Sequence, residues 1–223
     1  MDLAKTIHII PTDRPSAILL RHAERKPITK VQDAVDAPLV KKGEQAAKSL
    51  GERLAQFSPI RLFHSPVPRC KQTAQMIAKG AKSKGAKVKL AGTKFTVGGP
   101  YMRDWNRAMG QVLETGPVPF INDWFAGKLS PDLAKDPRES ALEQVTVLVD
   151  QLSEPHIKGC TINVTHDWNI ILIRHFFLGL ELQQVGWPHY MEAIAASMPE
   201  VGKLRLSWQD KSKDFSLPLK VPF

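Results

Sequence analysis

Hydrophobic positions along this chain fall into short unbroken runs separated by longer stretches with helical spacing. The first run, Ala17-Ile18-Leu19-Leu20, lies between Pro15 and Pro27 and predicts a buried strand ending at Arg21-His22. A loop over 26–38 follows. Ala46, Ala47, Leu50, Leu54 and Phe57 then repeat at i, i+3/i+4 and predict an amphipathic helix over 43–57, stopped by Ser58-Pro59. A second strand is expected over 60–64. Ser65-Pro66-Val67-Pro68 breaks the chain, and a helix from about Arg69 carries Cys70, Thr73, Ala74 and Ile77 inward. The stretch 88–97 reads as a third strand interrupted at Gly92. Gly98-Gly99-Pro100 opens a long irregular segment through Tyr101, Met102, Arg103, Asp104, Trp105 and Asn106. Its aromatics, between Gly and Pro, are those of a substrate-facing loop, although packing alone accounts for Tyr101 and Trp105.

Beyond it, 119–126 reads as a short helix and 138–152 as a longer one, with Leu142, Val145, Val149 and Leu152 on one side. Cys160 to Thr165 predicts a strand running into His166-Asp167, and 168–180, apolar nearly all round, predicts a buried helix. Lys203 to Trp208 and the residues after it read as one or two edge strands. Strands and helices alternate from Ala17 to Leu180, which predicts an α/β fold whose mostly parallel sheet is covered on both faces. In such sheets ligands bind at the carboxyl edge, where Arg21, His22 and His166 are expected.

The 223 residues suit one domain over 1–223, with a cap or lid insertion around 98–140. Thirty-one Lys+Arg against 22 Asp+Glu give a net charge of +9. Much of the excess lies in Lys79, Lys82, Lys84, Lys87, Lys89 and Lys94. That run reads as a solvated surface rather than a nucleic-acid site, since aromatics for base stacking are sparse there. Two cysteines, Cys70 and Cys160, make no disulfide framework. No run approaches the roughly 18 apolar residues of a membrane span. The first eleven residues have no apolar leader, so a reduced, cytoplasmic location with no membrane partner is expected.

The residues at predicted strand ends and first turns are Arg21, His22, Arg25, Arg69, His166 and Asp167. Guanidinium forks match phosphate oxygens, and they also keep a neighbouring imidazole neutral and nucleophilic. A carboxylate beside the second histidine is placed to protonate a leaving oxygen and then deprotonate water. No Cys or carboxylate cluster joins the histidines at metal-ligand spacing, so neither a metal nor another cofactor is expected. The set points to phosphoryl transfer through a phosphohistidine.

These residues resemble the motifs of the histidine phosphatase superfamily, the group of phosphoglycerate mutases, acid phosphatases and phytases. Arg21-His22-Ala23 is similar to its Arg-His-Gly motif. Ser65-Pro66 with Arg69 and Gln72-Thr73-Ala74 resembles its second arginine motif, and Thr165-His166-Asp167 its second-histidine motif. Pro38-Leu39 with Gly43 and Gln45-Ala46 is similar to the segment before its first helix. The resemblance implies a three-layer α-β-α sandwich of the phosphoglycerate mutase type. It implies a metal-independent phosphatase with His22 as nucleophile, Arg21, Arg25, Arg69 and His166 as phosphate ligands, and a small phosphate ester as substrate. Arg25, Pro27 and the His-Asp pair resemble the acid phosphatase branch, where the aspartate is the donor. The short chain is closer to the mutase and small-phosphatase branch, where an acid from a middle loop serves. Asp167 and Asp104 therefore stand as alternative proton donors, and Glu24 is expected to be structural. A mutase, or a weakly catalytic module binding phosphoprotein or nucleic acid, are the alternative functions. Ala23 departs from the motif glycine.

Overall fold

A computed structural model describes residues 3–154 and 158–220. In chain order its elements are α1 (Leu3–His8), β1 (Ser16–Arg21), α2 (Asp33–Asp36), α3 (Lys41–Leu54), β2 (Ile60–His64), α4 (Pro68–Ser83), β3 (Val88–Thr93), α5 (Trp105–Thr115), α6 (Pro117–Phe125), α7 (Pro137–Leu152), β4 (Cys160–Thr165), α8 (Asp167–Phe176), α9 (Leu182–Val185), β5 (Ala193–Glu200), β6 (Lys203–Trp208) and β7 (Lys211–Ser216). The strands form one sheet in the order β3-β2-β4-β1-β5-β6-β7. The pairs β3–β2, β2–β4 and β4–β1 are parallel, and β5, β6 and β7 add antiparallel on the far side of β1.

All six residues of β1 are buried, as its unbroken apolar run predicts. Because strand side chains alternate, Ile18 and Leu20 join a core with α1, α3 and α4, while Ala17 and Leu19 join another with α5 to α8. This is the three-layer sandwich expected. Helices α3 and α4 approach closely through glycine. A Cβ on Gly51 would lie 2.1 Å from the Ile77 carbonyl oxygen, and one on Gly80 would lie 1.9 Å from that of Lys48. Two free cysteines, Cys70 and Cys160, are both buried, and burial pushes their thiols up to about 11 and about 12.

Several elements differ from the sequence reading: the strand expected over 88–97 ends at Thr93, with a 3-10 turn over Phe95–Val97, and the loop over 26–38 contains α2. Trp105 to Thr115, expected to be irregular at its start, is helix α5. It is capped by Asp104, whose carboxylate accepts from the Arg107 backbone N–H at 3.0 Å. Strand β5 was not foreseen, because Ala193-Ile194-Ala195-Ala196 is a small-residue run without a propensity signal; burial on both faces makes it a strand. In α7 the inward face is shifted to include Gln144 and Gln151. Gln151 exchanges hydrogen bonds with Asn163 (2.9 and 2.8 Å), and Gln144 donates to the Thr96 carbonyl at 2.8 Å. The reciprocal Gln151–Asn163 pair explains how an amide sits in this core, whereas Gln144 is paired through its amide nitrogen and its Oε1 is buried without a partner among the described residues.

No helix among the described residues is long and apolar enough to cross a membrane. The side chains of Lys79, Lys82, Lys84, Lys87 and Lys89 are exposed, as the charge run implied. His64 is buried with Nδ1 2.8 Å from the Ser65 carbonyl oxygen, and His156, read as a packed or surface residue, lies outside the described residues.

Candidate active site

Parallel register brings the ends of β1, β2 and β4 to one edge. Arg21 pairs with Thr165 and His64 with Val164, so His22, Ser65 and His166 are the first residues beyond the three strands. The His22 backbone N–H donates to the Thr165 carbonyl at 2.9 Å, which carries the chain across the gap between strands. Arg69 enters from the first turn of α4, where Pro68 starts the helix, and Asp167 opens α8. Arg25 comes from the loop after β1, which is held by a single bridge between Arg25 and Leu39. Gly43 permits that loop to lie against α3, since a Cβ there would meet the Glu24 carbonyl oxygen at 2.2 Å. The motif glycine, in the first turn of α3, thus has a packing cause.

His22 is 2% exposed. Its Nδ1 lies 2.8 Å from the Ala23 carbonyl oxygen, and Nε2 accepts from Arg69 Nε at 3.0 Å. An acceptor on one side and a donor on the other fix the tautomer: the proton sits on Nδ1 and the lone pair on Nε2. Burial holds the imidazole well below its usual range, and the Arg69, His166 and Arg21 charges push the same way. Arg69 also donates from Nη1 to the Ala34 carbonyl at 2.7 Å and from Nη2 toward His166 Nδ1 at 3.3 Å. On its other side, His166 Nε2 is 2.9 Å from Ser65 Oγ, which accepts from the Val67 N–H at 3.2 Å. Burial and then Arg69 lower His166 as well, so both imidazoles are neutral at neutral pH.

Arg21 is 6% exposed. Its Nη2 pairs with Asp167 Oδ2 at 2.7 Å, Nη1 donates to the Pro188 carbonyl, and its guanidinium lies 4.3 Å from the centre of the Tyr190 ring. Trp187 Nε1–H donates to the same Asp167 Oδ2 at 3.0 Å. Burial pushes Asp167 up, but Arg21, the Trp187 donor and the flanking cations outweigh it, and the carboxyl is held below its usual range. Arg21 Nε and Arg25 Nε are buried without a hydrogen-bond partner among the described residues. Unsatisfied guanidinium N–H groups beside an imidazole lone pair form an anion-binding surface.

All six strand-end residues line one cavity of about 430 Å³: Arg21, His22, Arg25, Arg69, His166 and Asp167. Asp104 and Glu24 do not. Asp104 is engaged as the cap of α5, and Glu24 pairs with Lys42 at 3.3 Å. Ala23 is fully buried among the α3/α4 core, its N–H donates to Thr73 Oγ1 at 3.1 Å, and its φ lies outside the left-handed region. The methyl is accommodated without backbone strain.

Ser65 and the turn Trp187-Pro188-His189-Tyr190 were not singled out as site residues. The turn's only sequence signal was two aromatics around a proline, read as packing. It is held by Glu192, whose carboxylate accepts from Arg174 at 3.0 Å and from the His189 N–H at 3.0 Å. Arg174, on the helix read as apolar nearly all round, is 1% exposed in that ion pair.

A family model, the histidine phosphatase superfamily (branch 1), matches residues 17–90, which carry Arg21, His22, Arg25 and Arg69. The resemblance to the histidine phosphatase superfamily stands. Solved structures share the fold. A mycobacterial glucosyl-3-phosphoglycerate phosphatase is 17% identical, with a TM-score of 0.59 over 88% of this chain and 98% of that one. YhfR of Bacillus stearothermophilus is 21% identical, with a TM-score of 0.59 over 87% and 96%. A phosphoglycerate mutase from Bacillus anthracis str. Sterne is 17% identical, with a TM-score of 0.53 over 92% and 94%. No curated protein matches in sequence. The histidine phosphatase signature and the cavity coincide, since all four of those side chains line it.

Proposed function

We propose that this chain is a phosphomonoester hydrolase that works through a phosphohistidine on His22. The observation that carries the reading is the buried, neutral His22 Nε2, flanked by three arginines in one cavity. Nε2 attacks phosphorus, the bond from phosphorus to the ester oxygen breaks, and the leaving oxygen takes a proton. Water then attacks the phosphohistidine and gives up a proton as inorganic phosphate departs. Arg21, Arg25 and Arg69 stabilise the phosphoryl oxygens through both steps. Arg69 Nη2 faces His166 Nδ1 and can only donate, so the His166 proton lies on Nε2 and goes to Ser65 Oγ, which fixes the ring at the phosphoryl end of the cavity.

Asp167 is the proton donor and later the base. It lines the cavity, while Asp104 is engaged as the cap of α5 and is not among the lining residues. Arg21 and Trp187 favour its ionised form, so it acts as an acid only where bound phosphate offsets the Arg21 charge. The segment 98–140, which supplies α5 and the start of α6 to the cavity wall, serves as the cap. A mutase must hold a second phosphoryl group. All the lining arginines gather at one end, which favours hydrolysis.

The test is release of phosphate from an aryl phosphate in the presence of a chelator. The wild type is expected to turn over, and His22→Ala to lose at least about a thousandfold in kcat/KM. Equal rates for the two proteins would end the reading.

A further inference from the structure

We infer that the substrate is the phosphomonoester of an apolar alcohol, aryl or alkyl, whose body lies against helix α5. This rests on the hydrolase reading for its chemistry and on the far wall of the cavity for its specificity.

That wall is built from Trp105, Met109, Val112, Leu113, Pro117 and Trp168. On α5 the positions 105, 109, 112 and 113 follow the i, i+4, i+7, i+8 spacing of one helix face, so the apolar stripe of this helix faces the cavity. Trp105 and Trp168 have ring centres 6.1 Å apart and join this wall to Asp167 at the phosphoryl end. At the other end Leu113 is 43% exposed, so the apolar surface continues to the rim. An exposed apolar stripe that leads out of a cationic cluster is a surface for a molecule with one charged head and an apolar body.

What the lining lacks points the same way. Among the described residues it contains no Lys, Glu, Ser, Thr, Asn or Gln. Its charged side chains are Arg21, Arg25, Arg69 and Asp167, all at the phosphoryl end. A sugar would find one free donor on this wall among the described residues, the Trp105 Nε1–H, and would leave its other hydroxyls unpaired against Met109, Val112 and Pro117. A phosphorylated amino or hydroxy acid would bring a carboxylate with no second cation to meet it. Burying such groups without partners is costly, whereas each methylene laid on this wall is favourable.

The experiment uses the whole chain and two homologous series. Affinities of n-alkylphosphonates from methyl to octyl are measured by calorimetry, and phosphate release is followed from the matching alkyl phosphates, phosphoserine and 3-phosphoglycerate. Affinity is expected to rise about two- to fourfold per added methylene and to level off as the tail reaches the rim. The alkyl esters are expected to exceed phosphoserine and 3-phosphoglycerate in kcat/KM. Leu113→Glu should cut the octyl-to-methyl affinity ratio by about tenfold, with methylphosphonate binding reporting that the variant is folded. Flat affinity from methyl to octyl, or a preference for the carboxylated esters, overturns the inference. Length-dependent binding without turnover of any ester would instead retain the apolar wall and remove the hydrolase reading.

Discussion

At the scale of single residues, the site is an arrangement of protonation states. His22 is neutral because burial, Arg69, His166 and Arg21 oppose its charge, and its free electron pair is directed by the Ala23 carbonyl at the opposite nitrogen. Asp167 is ionised because Arg21 and Trp187 outweigh its burial. The acid limb of kcat/KM, set by protonation of His22, should therefore lie well below pH 6.5. If Asp167 donates the proton, activity must fall as pH rises through its value in the complex, giving an optimum on the acid side of neutrality. Trp187→Phe removes one hydrogen bond to the carboxylate. A lost bond to the ionised form raises the pKa, so the alkaline limb of the pH–rate profile should move upward. An unmoved limb would remove Asp167 as donor. The placement of His22, Arg21 and His166 at one sheet edge was legible in the chain as strand-end residues. Ser65 and Trp187 were not, because each acts only through a neighbour more than a dozen residues away.

At the scale of elements, periodicity was a good guide where a helix has one continuous apolar stripe, as in α3 and α4. It failed at α5, whose stripe lines a cavity, and misplaced the face of α7, whose inner surface includes two hydrogen-bonded glutamines. The α3–α4 contact makes a clean test of close approach. Gly80→Ala puts a methyl into the Lys48 carbonyl and should destabilise by about 1–3 kcal/mol. Gly110→Ala, on α5 with nothing within 4 Å of the added carbon, should stabilise by about 0.5–1 kcal/mol. Urea unfolding of both variants checks the pair, and similar effects would show that the helices can part without cost.

For the whole molecule, two cores on opposite faces of one sheet hold the strand ends rigidly enough to keep two imidazoles uncharged inside. That has a consequence for acid stability. The folded pKa values of His22 and His166 lie below the 6.5 of the free side chain, so below about pH 6.5 the unfolded chain binds protons that the folded chain does not. Stability should be fully present above that pH and fall on acidification, with a limiting slope of about 2.7 kcal/mol per pH unit for two protons. Urea unfolding between pH 7.5 and 5 measures it. His22→Ala should reduce the slope by about half, and an unchanged slope would mean that His22 is charged or solvated in the fold.

The amino-acid sequence by itself determined which segments are strands along β1, β2 and β4, that helices cover both sides, and that a histidine ends or follows each of these strands. Those properties depend on local apolar runs and on breakers such as Ser58-Pro59 and Ser65-Pro66, which act within a few residues. Only the tertiary structure decided the rest. The sheet's antiparallel half, the pairing of Arg21 with Asp167, the Trp187 turn and the apolar wall of α5 all depend on which distant segments meet. Burial then sets the charge of each group at that meeting point, because the free energy of an ion depends on what surrounds it rather than on its neighbours in the chain.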